Sequence, residues 1–227
     1  MYGFIVAIDE EIHFLLELTT IIEKIHDNHL IFYRLKLRNG SEVIVTKSGA
    51  GKVNAALAAI ALINKFSVKA IINTGIAGGL EKTEPNFFVI AEKVIYHDVD
   101  MSSYRNKYEL GQIRGLPQFY ITDTKLHEKV KKILISLKFP FITGTIATGD
   151  IFVKNTDKMT AFIDNYDNIL AFDMESAAIG QICFLYKVPF LSFRCISDII
   201  NGKIDKKSFN FDILKACKNL ASVLNQF

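Results

Sequence analysis

Two apolar patterns alternate along the chain. Residues 3–8 form a continuous apolar run closed by Asp9, Glu10 and Glu11, the pattern of a strand buried on both faces. A helix is expected over about 10–24. Residues 31–37 and 42–47 flank Arg38-Asn39-Gly40, and the Asn-Gly pair predicts a β-hairpin. Residues 51–66 carry alanines and apolar side chains around the whole circumference, as a buried helix does. Residues 69–74 read as a strand entering a glycine-rich turn at 75–79, and 87–96 as another strand. The polar, aromatic segment 97–118 has no period, and loops of that length in compact domains are usually functional or mobile. Helices over 123–137, 156–165, 175–186 and 209–224 then alternate with strands over 141–147, 169–172 and 190–196.

Strands alternating with helices imply an α/β fold, a mixed, mainly parallel central sheet covered on both faces. No repeat, low-complexity tract or linker divides the chain, so all 227 residues are expected to form one domain. Half the residues are hydrophobic, which excludes an intrinsically disordered chain. Lys and Arg number 27 against 24 Asp and Glu, a net charge of only +3 without a concentrated basic face, so nucleic acid is not the expected partner. The apolar start lacks a preceding basic stretch, and the longest uncharged apolar stretch, 53–64, falls short of the ~20 residues a bilayer span needs. Neither export nor membrane insertion is expected. Cys183, Cys195 and Cys217 are odd in number and lack CxxC spacing, which fits a reducing cytoplasm better than a disulfide framework or a zinc site.

Ligands in such sheets bind beyond the carboxyl ends of strands, and those ends are rich in acids. Asp9, Glu10 and Glu11 follow the first strand, Asp150 the strand at 141–147, Asp173 and Glu175 the strand at 169–172, and Asp198 the last. The five histidines form no HExxH or HxH pair, so no metal or other cofactor is expected. Ser48-Gly49-Ala50-Gly51-Lys52 is not a phosphate loop, because Thr46 replaces its first glycine and Val53 its Ser/Thr. No GxGxxG follows the first strand, which argues against dinucleotide binding. Each acid also has a structural explanation. The first three complement a helix N-terminus, and Asp198 fits an N-cap or a core hydrogen bond. Phe152 fits an ordinary core position. Glu175 opens an alanine-rich buried helix, where a carboxylate needs a partner.

The chain resembles the nucleoside phosphorylase/nucleosidase superfamily, and within it the 5′-methylthioadenosine/S-adenosylhomocysteine nucleosidases of methionine salvage. The match runs through Ala7-Ile8-Asp9-Glu10-Glu11, Ser48-Gly49-Ala50-Gly51-Lys52-Val53-Asn54, Ile72-Asn73-Thr74-Gly75-Ile76-Ala77-Gly78-Gly79, Tyr96-His97-Asp98-Val99-Asp100, Thr148-Gly149-Asp150-Ile151-Phe152, Phe172-Asp173-Met174-Glu175-Ser176 and Arg194-Cys195-Ile196-Ser197-Asp198, in the family's order. The resemblance implies hydrolysis of the bond between adenine and a 5′-thio-substituted ribose through an oxocarbenium-like transition state. It makes Asp198 the acid that protonates adenine N7 and Glu11 the base that activates water. Glu175 would bind the ribose hydroxyls, Met174 would pack the sugar, Phe152 would stack on the purine and the Val153 backbone would read its edge. Gly78, Ile76 and Ser197 join the binding set, with Ile76 standing where some members have serine. Arg194 would orient Asp198. Phe209 matches the 5′-alkylthio pocket, and Tyr108 matches a residue supplied by a neighbouring subunit, so a homodimer is implied.

Two other readings remain. A purine nucleoside phosphorylase would need cationic clamps around phosphate, yet the turn after the first strand offers three acids, and Asn73 stands near where phosphorylases commonly carry arginine. A catalytically inactive nucleoside-binding module would not need Glu11, Glu175 and Asp198 together.

Overall fold

The computed structural model describes residues 1–104, 108–157, 159–200 and 206–227 and, for 206–211, the backbone alone. The elements run β1 (Tyr2–Val6), α1 (Asp9–Leu18), β2 (Thr20–Asp27), β3 (Leu30–Lys36), β4 (Glu42–Lys47), α2 (Lys52–Phe66), β5 (Ala70–Gly79), β6 (Phe88–Tyr96) and β7 (Tyr120–Ile121). They continue α3 (Thr124–Ser136), β8 (Phe141–Thr148), α4 (Thr160–Asp164), β9 (Ile169–Asp173), α5 (Ser176–Tyr186), β10 (Phe190–Ile199) and α6 (Lys206–Leu224).

One sheet joins every strand, in the order β10-β6-β8-β9-β5-β1-β4-β3-β2, with β7 on β6. A further pairing of β10 with β5 closes β5, β9, β8, β6 and β10 into a ring. The sheet is mixed, as expected: β1–β4, β1–β5, β5–β10, β6–β8 and β8–β9 are parallel, and the remaining pairings are antiparallel. Two apolar layers cover it. Ile12 and Leu15 of α1 pack with Leu126 and Val130 of α3 and Leu220 and Leu224 of α6 on one side. Ala55, Ala58 and Leu62 of α2 pack with Ala177, Ile179 and Cys183 of α5 on the other. Among the described residues no helix is long and apolar enough to cross a membrane.

Three local expectations are corrected. The first helix ends at Leu18 and residues 20–27 form β2, hydrogen-bonded to β3. The run Thr19-Thr20-Ile21-Ile22 is β-branched throughout, which penalises a helix and suits a strand. The segment 75–79 is not a turn, because β5 runs through it in register with β10. None of its glycines has a positive φ. Gly75 is needed for space, since a Cβ there would collide with the Arg194 guanidinium and the Glu11 carboxylate. Finally, α2 is buried along one face only, leaving Val53 71% and Leu57 43% exposed.

Candidate active site

The carboxyl ends of β1, β5, β9 and β10 converge because β5 and β9 meet antiparallel only at their last residues, Gly78 with Phe172 and Gly79 with Ala171. They open onto a cleft of about 350 Å³ whose lining includes Glu11, Glu175, Arg194 and Asp198. Met174, Phe152, Val153, Ile76, Gly78 and Ser197 line the same cleft. The structure thus brings together nine of the sequence-predicted catalytic and binding residues: Glu11, Asp198, Glu175, Met174, Phe152, Val153, Gly78, Ile76 and Ser197. Tyr108 is not among the lining residues and packs its ring 6.1 Å from that of Tyr104. The Phe209 side chain lies outside the described residues. Ile213, further along α6, lines the cleft.

Glu11 sits in the first turn of α1, and its carboxylate reaches back over the helix start. Oε2 accepts from the N–H groups of Ala7 (2.6 Å) and Ile8 (3.1 Å), and Oε1 accepts from the N–H of Ile76 (2.8 Å). The helix-capping explanation of this acid therefore holds at the same time as its place in the cleft. Burial pushes its pKa up, opposed by the Arg194 charge and the three N–H donors. Oε1 keeps a lone-pair direction for a further donor such as water.

Arg194 lies on β10 and is fully buried, so its charge requires partners. Its Nη2 donates to Asn73 Oδ1 (2.6 Å), Ser176 Oγ (3.2 Å) and Glu175 Oε2 (3.3 Å), and forms an ion pair with Asp173 Oδ2 at 2.8 Å. The guanidinium is thereby committed to the Glu175 side of the cleft, not to Asp198 as the sequence suggested. Glu175 Oε1 accepts from the Gly51 N–H at 3.0 Å. Burial raises the Glu175 pKa to about 7, with Arg194 opposing and Asp173 reinforcing the rise.

Asp198 owes its direction to an irregularity in β10, where the register on β5 slips between Ile196 and Asp198. Its Oδ1 accepts from Ser197 Oγ at 2.6 Å. Half-burial raises its pKa, with the Ser197 hydroxyl opposing, so the side chain keeps its proton to higher pH than an exposed aspartate. Phe152 stands on the loop after β8 with 62% of its surface exposed, free to present a ring face to a planar ligand. That loop is braced from α2: the Lys52 N–H donates to Asp150 Oδ1 (2.8 Å), and Lys52 Nζ pairs with Asp98 Oδ2 (2.7 Å). The glycine-rich turn at 48–52 thus spends its N–H groups on Glu175 and Asp150, this chain's own carboxylates, rather than on phosphate.

Sequence reasoning missed the buried layer beneath the acids. Asn73, Ser176, Ser192 and Thr148 join Asp173 and Arg194 in one hydrogen-bonded network. Asp173 carried a signal, its place directly after a strand. Asn73, Thr148 and Ser176 fall in the segments that carry the family resemblance, but nothing marked them or Ser192 as meeting, because short polar residues look alike whether or not they meet.

A model of the phosphorylase superfamily matches residues 1–227. The 5′-methylthioadenosine/S-adenosylhomocysteine nucleosidase of Staphylococcus haemolyticus is 37% identical over 225 residues, 99% of this chain and 97% of that protein. The crystal structure of the Neisseria meningitidis nucleosidase of the same name, in complex with methylthio-immucillin-A, superposes with a TM-score of 0.90 at 29% identity, covering 99% and 96% of the two chains. The native structure of a Helicobacter pylori futalosine hydrolase superposes at 0.88 with 27% identity, covering 100% and 97%. The chain belongs to the phosphorylase superfamily and, within it, to the 5′-methylthioadenosine/S-adenosylhomocysteine nucleosidases.

Proposed function

We propose that this protein hydrolyses the N-glycosidic bond of 5′-methylthioadenosine and S-adenosylhomocysteine, releasing adenine and the 5′-thio-substituted ribose. One observation carries the reading: Glu11, Glu175 and Asp198, far apart in the chain, line a single cleft. Adenine leaves poorly as an anion, so Asp198, whose pKa burial raises, protonates it at N7. Glu11 takes a proton from the attacking water. Glu175 accepts from the ribose hydroxyls while Met174 packs the sugar, Phe152 stacks on the purine and the Val153 backbone meets its edge. Ile76, Gly78 and Ser197 complete the walls, and Phe209 belongs with the 5′ substituent.

Water rather than phosphate is the nucleophile. Among the described residues the cleft's one arginine is already paired with Asp173 and Glu175, and Glu11 and Asp198 add further negative charge. Two like charges 4 Å apart repel by about 1 kcal/mol even at the dielectric of water, and more in a cleft. Among the described residues a phosphate dianion finds no free cationic clamp there.

Two copies of the chain form the working unit. The exposed Val53 and Leu57 of α2 and Phe184, Leu185 and Tyr186 of α5 give it an apolar face. On this reading Tyr108, which does not line the cleft of its own chain, serves a neighbour's. The cytoplasm is the compartment that its three buried free thiols suit.

Release of adenine from both nucleosides, and from a futalosine-type nucleoside in the same panel, is measured with and without phosphate. The expected outcome is phosphate-independent adenine release, reduced by at least about 10²-fold in Glu11→Gln and in Asp198→Asn. A sugar 1-phosphate product would move the protein to the phosphorylase branch, and no turnover of any member would leave a binding module.

A further inference from the structure

Lys52 is the first residue of α2, a place where a cation is unfavourable against the helix's unpaired N–H groups. Its ammonium serves another segment. Nζ donates to Asp98 Oδ2 at 2.7 Å and stands 3.8 Å from Asp150 Oδ2. Asp98 Oδ2 accepts in addition from the Asp150 N–H at 2.8 Å, and the Lys52 N–H donates to Asp150 Oδ1, also at 2.8 Å. Asp150 is thus held by both its backbone and its side chain. The Lys52 and Asp98 side chains are only 24% and 12% exposed, so their attraction is weakly screened. Asp98 Oδ1 is buried and has no hydrogen-bond partner among the described residues, which makes the Lys52 charge the main hold on that carboxylate. Two residues beyond Asp150 stands Phe152. It and Ile151 are exposed, so core packing does not fix the ring.

We propose that Lys52 is a positioning residue for the purine site: by drawing Asp98 and Asp150 together, it fixes the loop from which Phe152 offers its ring to a base. This rests on the nucleosidase reading for the identity of the planar ligand. Without the ammonium, Asp98 and Asp150 face each other as two carboxylates with no cation between them. Asp98 then turns toward water, the Asp150 N–H loses its acceptor, and the loop leaves the position that supports stacking. The same turn also serves the sugar acid, because the Gly51 N–H donates to Glu175 Oε1 at 3.0 Å. Lys52→Met keeps both backbone N–H groups and a stem of similar length and removes the charge alone.

The test compares wild type, Lys52→Met, Phe152→Ala and the double variant on 5′-methylthioadenosine. Lys52→Met should raise KM about tenfold, within the worth of one base stacked on an aromatic ring. Its kcat should change far less, because stacking holds substrate and transition state alike. In the Phe152→Ala background the same substitution should add little, since its effect runs through that ring. A fall in kcat at unchanged KM, or an effect that simply adds to that of Phe152→Ala, marks a general structural role and overturns the proposal. A second readout needs no turnover. The chain has no tryptophan, so Phe152→Trp supplies a single indole on the loop, and its fluorescence anisotropy should fall when Lys52→Met is added. Unchanged anisotropy overturns the proposal. If wild type releases no adenine, the nucleosidase reading fails by itself, and the anisotropy still decides Lys52. If Lys52→Met does not fold, Asp98→Asn breaks the ion pair from its other side. A smaller rise in KM, again absent in the Phe152→Ala background, then supports the proposal, and an unchanged KM overturns it.

Discussion

At the scale of single residues, the site is a set of acids held in unequal states by their surroundings. Glu175 shows how that choice costs stability. Its pKa is about 7 in the folded protein, above the ordinary glutamate value of about 4.3. The native state therefore binds this proton more tightly than the unfolded chain does. The stabilisation is complete below the unfolded value and is lost as pH rises through about 7. Glu175→Gln, which does not titrate, escapes that loss, so its Tm advantage over wild type should widen between pH 5 and pH 8 by thermal melts. Parallel curves would show that Glu175 is not held protonated by its burial. Of these residues the sequence exposed the acids, because carboxylates after strands are conspicuous. It hid the states, because burial among Arg194, Asp173 and Asn73 is set by segments more than a hundred residues apart.

Elements explain where sequence patterns misled and where they served. The hairpin at Asn39-Gly40 and the helix capped by Asp123, whose side chain accepts from the Leu126 N–H at 2.9 Å, were legible because both signals are local. The ring closure of β5, β9, β8, β6 and β10 was not, because period-based reading says nothing of which strands pair. The glycines of β5 looked like a turn, yet Gly75 serves close approach. An added methyl on Gly75 has nowhere to go between Arg194 and Glu11. Gly75→Ala should destabilise by about 1–3 kcal/mol, roughly 3–10 °C in Tm, and reduce adenine release through the displaced Glu11. Melting curves and turnover check both, and a variant with wild-type values would show that the two side chains are not packed against this backbone.

For the whole molecule, sequence placed the alternating layers and the acidic edge correctly but treated α2 as buried on all sides. Its outward Val53 and Leu57 are explained if a second copy covers them, and light scattering should give twice the chain mass. Charged replacement of both should return the monomer, whereas a monomeric wild type would leave Tyr108 without a cleft to serve. The central claim is that one cleft surrounds one glycosidic bond. A crystal structure with a non-hydrolysable adenine nucleoside analogue tests it most directly. Asp198 should face purine N7, Glu11 a water beneath the anomeric carbon, and Glu175 the sugar hydroxyls. An analogue seated elsewhere, or one that leaves Glu11 and Asp198 on unrelated groups, would contradict it.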